Sequence, residues 1–191
     1  MRDGPAGRDR GRLPSTFHGK GNFVFAISSR TLSIRDKAFP RRGMTMKPVF
    51  NLANELAGDP NRIRLTQELT LNAARPEMGL RGDNGLFGSP TWWQNLSNGK
   101  IPTLEIVGII DRTYCAGQGD SGTPNMVDLL TDAGSIEAVG IYVNDKADVA
   151  LFKPGRRVSV VYALEKLKKQ PASDGGVNYS RVAVKMSVSM E

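Results

Sequence analysis

Every second residue from Val158 to Leu164 is apolar, so that Val158, Val160, Tyr162 and Leu164 share one face of an extended chain. That period of two is the signature of a strand with one buried side. It recurs in Thr103–Tyr114, where Leu104, Ile106, Ile110 and Tyr114 take one face and Val107 and Ile109 the other. It recurs again in Tyr179–Met190, with Val182, Val184, Met186 and Val188 alternating. Two shorter strands, Asn125–Leu130 and Ile136–Val143, are predicted around the hairpin residues Thr131-Asp132-Ala133-Gly134. Asp145 is placed to N-cap a helical run over Lys146–Phe152, and Pro154-Gly155 turns the chain into the strand Arg156–Leu167. The loop KKQPASDGG then leads to the last strand.

Upstream the pattern is less regular. Ser89, Pro90 and Asn98-Gly99 bracket a short helix as N-cap, first helical residue and stop. Trp92 and Leu96, spaced i and i+4 on it, are expected to plug the end of the β-domain, with Trp93 turned partly outward. Phe50–Leu56 reads as a short helix stopped by Gly58 and Pro60. In Arg62–Asn72 the residues Ile63, Leu65, Leu69 and Leu71 fall on alternate positions, which predicts a half-buried strand, against the helical preference of its Leu, Gln and Glu. Ala73–Gly88 is a glycine-rich linker.

Strand, strand, strand, helix, strand, strand over residues 101–191, with Gly108 breaking the first strand where it would bend, resembles the OB-fold. The resemblance implies a mainly β protein: a five-stranded, OB-like Greek-key barrel (β-β-β-α-β-β). Residues 47–100 form an N-terminal extension carrying the helix 89–99, and residues 1–46 a disordered basic leader. A small SH3-like barrel or an antiparallel sandwich gives a similar string of elements.

Charge matters once it is located. The formal net charge is +7, and the first 46 residues hold ten basic and three acidic side chains, so the remainder is balanced. The leader is read either as an arm that follows a phosphate backbone or as translated sequence upstream of a start at Met44 or Met46. A single cysteine, Cys115, and a single histidine, His18, exclude an intramolecular disulfide and a Cys/His zinc site. The apolar run Phe23–Ile27 is too short for a signal h-region or a bilayer span, which makes the cytoplasm the expected compartment.

Catalytic motifs are weak. Gly119-Asp120-Ser121-Gly122 resembles the nucleophile segment of trypsin-like proteases, but a serine needs a base and a carboxylate to orient it, and the one histidine lies in the leader. A polar hairpin loop explains the same residues. No phosphate-cradling glycine motif occurs, and Asp145 with Asp148, or Glu105 with Asp111, read as a cap and as solvated strand positions. Arg81-Gly82-Asp83 reads as a glycine turn. No cofactor, metal site or enzymatic activity is expected.

What remains is charge placement. Residues 105–148 hold eight acids against two bases, whereas residues 153–169 hold Lys153, Arg156, Arg157, Lys166, Lys168 and Lys169 against Glu165. On an OB barrel those bases would lie beside the usual oligonucleotide surface, with Tyr114 and Tyr142 as stacking groups. The reading is therefore a non-catalytic module whose partner is single-stranded DNA or RNA. The alternative is a protein-interaction or structural module without nucleic-acid binding, in which Ser89–Gly99 or Arg62–Asn72 docks on a protein partner or a second copy.

Overall fold

The computed structural model describes residues 45–117 and 122–190. The leader expected over residues 1–46, apart from Thr45 and Met46, and the serine of the protease-like segment lie outside them. The elements in chain order are β1 (Met46–Asn51), α1 (Leu52–Gly58), α2 (Pro60–Leu71), α3 (Pro90–Ser97), β2 (Thr103–Tyr114), β3 (Met126–Thr131), β4 (Ile136–Gly140), a 3-10 turn (Lys146–Leu151), β5 (Arg157–Pro171) and β6 (Val177–Ser189).

All six strands join one sheet in the order β1-β6-β5-β2-β3-β4, and each pairing is antiparallel. β5 sits near its centre. Val158 lies opposite Gly108 and Val188, Val160 opposite Ile106 and Met186, and Tyr162 opposite Leu104 and Ala183. Because directly paired residues project to the same side, these positions form one apolar face. Ile110, Val127, Leu129 and Val139 extend it across β2, β3 and β4, and Phe50, Leu52 and Leu56 join the same cluster. Val158, Val160, Leu129 and Leu52 are wholly excluded from solvent.

The five-stranded closed barrel is corrected in two respects. β1, drawn from residues placed in the leader and the extension, adds a sixth strand on β6, and the sheet ends in two edges, β1 and β4. β4 stops at Gly140 instead of continuing to Val143. Asn144 ties β1 to the segment that follows β4. Its N–H donates to Val49 O (2.9 Å), its Oδ1 accepts from Asn51 N (2.7 Å), and its Nδ2 donates to Asn51 O (3.2 Å). Together with the Phe50–Tyr142 ring contact and the Lys47–Asp148 ion pair (2.6 Å), these bonds join the two sides without forming a ladder.

Gly108 is needed for a reason other than a bend. A Cβ there would sit 2.7 Å from the Leu130 carbonyl oxygen, so the approach of β3 admits no side chain. The irregularity in β2 falls two residues later, where the register with β3 shifts between Ile110 and Arg112.

Arg62–Asn72 is also corrected, from strand to helix. Asp59 caps α2 by accepting from Arg62 N, and Pro60 opens it, whereas the sequence had Pro60 ending the preceding helix. The alternate leucines misled because two of them are solvent-facing: Leu65 is 52% and Leu71 68% exposed. The helix starting at Ser89 forms as expected, with Ser89 Oγ accepting from Trp92 N. Trp92 is fully buried against Phe87 and Trp93, and its Nε1–H donates to the buried Glu165 carboxylate at 2.6 Å, which pins α3 to β5.

Candidate partner-binding surface

The six bases that looked contiguous in sequence are divided by the length of β5. From Arg157 to Lys168 a strand rises roughly 35 Å. At its start, Arg157 forms a two-pronged ion pair with Asp132 on the β3–β4 hairpin (2.8 and 3.3 Å). Arg156 Nη1 donates to Ser189 O (3.1 Å), and Lys153 is exposed in the preceding turn. Arg156 and Arg157 hold the strand ends together.

The two tyrosines are occupied. Tyr114 donates to Asp128 Oδ1 (3.0 Å), Arg112 Nε donates to Asp128 Oδ2 (2.6 Å), and the Arg112 guanidinium lies 5.0 Å from the Tyr114 ring centre. Partial burial and the hydrogen bond to Asp128 both raise the Tyr114 pKa above the usual phenol value. Tyr142 is packed inward, its ring 5.6 Å from that of Phe50 and 6.2 Å from that of Tyr162. Burial raises the pKa of Tyr142, and that of Tyr162 further. Tyr142 is thus partly buried and takes part in the packing between β1 and β5.

Lys166, Lys168 and Lys169 gather at the other end of β5. The strand does not stop at Leu167 as the sequence suggested but continues to Pro171, which pairs with Val177. The segment expected to be a plain linker lies along it: Leu80 bridges Leu167, Lys168 N donates to Gly79 O (3.1 Å), and Lys169 N donates to Pro76 O (3.2 Å). Lys168 Nζ turns inward and donates to the carbonyls of Leu69 (2.6 Å), Asn72 (3.1 Å) and Arg75 (3.4 Å). A lysine from a distant strand thus closes the C-terminus of α2, where the helix leaves carbonyls without partners. Lys166 faces Asp83 (3.8 Å), which also pairs with Arg81 (3.3 Å).

Between the end of α2 and β5 lies an open groove of about 390 Å³, with Leu71, Ala73 and Pro76 as its apolar wall and Arg81, Lys168 and Lys169 as its cationic one. Leu71, Met78, Val177 and Tyr179, four of the seven large hydrophobic side chains exposed on the described surface, lie on α2's last turn, the following segment and the start of β6. Exposed apolar groups concentrated at one end of a protein mark a contact surface. Sequence reasoning saw the lysines but not the groove, since its walls are some hundred residues apart in the chain.

Among the described residues no three His, Cys, Asp or Glu side chains gather to hold a metal ion. Among them, too, no helix is long and apolar enough to cross a membrane.

A rigid antiparallel sheet that presents an apolar and charged end describes a protein-binding scaffold. The chain belongs to the family of immunity protein RhsI2, which matches residues 46–189. No curated protein matches it. Family membership overturns the nucleic-acid reading and points to a protein partner, the alternative drawn from the sequence. The geometry gives the physical reason: Lys153, Arg156 and Arg157 lie far from Lys166, Lys168 and Lys169, most of these bases are engaged within the fold, and Tyr114 and Tyr142 are occupied.

Proposed function

We propose that this protein neutralises an Rhs toxin by binding it directly, one molecule to one, and holding it inactive. Membership of the immunity family over residues 46–189 carries this reading. The architecture supports it, because a sheet fixed by five strand pairings offers a preorganised surface and so lowers the cost of association. Protection arises from occupancy of the toxin, without turnover.

Co-expression with the cognate toxin tests the proposal. Growth is expected to recover when the protein matches the toxin in amount, and to fall in proportion as its expression is lowered below that of the toxin. Full protection at a small fraction of the toxin's level would require turnover and would refute binding as the mechanism.

A further inference from the structure

We propose that the groove between the end of α2 and β5 receives an acidic segment of the toxin, with a carboxylate set beside an apolar side chain. This rests on the reading of the chain as a toxin-binding protein. Arg81, Lys168 and Lys169 line the groove and no carboxylate does; Arg81 pairs with Asp83 and Lys168 Nζ is held by backbone carbonyls, which leaves Lys169 as the cation open to a partner. Its apolar wall ends in Leu71, which is 68% exposed, so a partner side chain laid over it would remove hydrocarbon from water. A carboxylate arriving beside that contact meets Lys169, which is exposed and forms no ion pair among the described residues.

The walls are fixed before any partner arrives. Lys168 Nζ holds the end of α2 through Leu69 O, Asn72 O and Arg75 O, and Arg81 N donates to Lys166 O at 2.8 Å. Binding there orders little that is not already ordered. Glu105, Asp111, Asp128 and Glu137 lie on β2, β3 and β4, away from the groove's lining, so the described surface carries its charge unevenly. An uneven charge distribution orients an incoming charged partner and sets its on-rate.

The test compares Lys169→Glu and Leu71→Asp, both at exposed positions, with Lys153→Glu at the far end of β5 as a control for net charge. Affinity for the purified cognate toxin is measured over a salt series, with thermal melting to show that each variant is folded. Both groove variants are expected to weaken binding at least about 30-fold, the loss typical of a central contact residue, and Lys169→Glu to flatten the salt dependence. Lys153→Glu is expected to stay within about twofold of the parent. Folded groove variants that bind as well as the parent would overturn the proposal while leaving toxin binding intact. Absence of toxin binding by the parent would remove the function and this site together. A concentration-dependent dimer of the isolated chain, abolished by Lys169→Glu, would assign the groove to the acidic half of a second copy and also overturn it.

Discussion

Glu165 is a carboxylate only 2% exposed, with the Trp92 indole N–H donating to it. Burial is the main influence on its pKa and raises it, the Trp92 hydrogen bond opposes that shift, and the charge of Asp83 adds to it. A carboxyl whose folded pKa lies above its unfolded value takes up a proton more readily in the folded state. Its effect on stability is therefore most favourable at or below the unfolded value, and it worsens as pH rises through the window between the two. Glu165→Gln keeps an oxygen for the indole and removes the charge, so it is expected to be at least as stable as the parent at neutral pH and to lack that part of the pH dependence. Glu165→Leu leaves the indole N–H buried without an acceptor and is expected to cost about 1–3 kcal/mol. Urea unfolding of the three proteins across pH 4–8 checks both outcomes. A Glu165→Gln protein markedly less stable than the parent at neutral pH would show that the charge itself stabilises the fold.

At the scale of elements, α2 depends on residues it does not contain. Its last carbonyls are met by Lys168 from β5 rather than by a glycine cap, and its C-cap is Asn72 in an extended conformation. Lys168→Met keeps most of the aliphatic stem and removes the donor. It is expected to destabilise the protein by about 1–2 kcal/mol, in the range of other lost caps and charged hydrogen bonds, and to speed amide exchange across residues 69–80 while β2 and β3 exchange as before. Unchanged exchange in that segment would mean that the capping contacts hold nothing in solution. Alternating strands were legible from sequence: β2, β5 and β6 appear where alternation places them, β3 appears beside its expected hairpin although both its faces are buried, and Ser89 and Asp145 cap the turns expected of them. β1 was not legible, because MKPVFN has no alternation and contains Pro48, which an edge strand tolerates and a central one does not. α2 was misread because alternation signals a strand only when the alternate residues are buried, and Leu65 and Leu71 are not.

At the scale of the whole molecule, adjacency in sequence was the wrong guide to adjacency in space. Lys153 to Lys169 read as one cluster, yet a long strand separates its two halves. Lys169 instead shares a groove with Leu71, from a helix almost a hundred residues earlier. Charge type alone did not identify the partner, since a cationic groove attracts phosphates and carboxylates alike. Family membership decides that question in favour of a protein. Calorimetric titration of the purified chain with its cognate toxin tests this most directly. Saturable binding that ends at one molecule of each is expected, while single-stranded DNA added to the same protein produces no specific heat. A flat toxin titration at concentrations where both proteins are folded would contradict it.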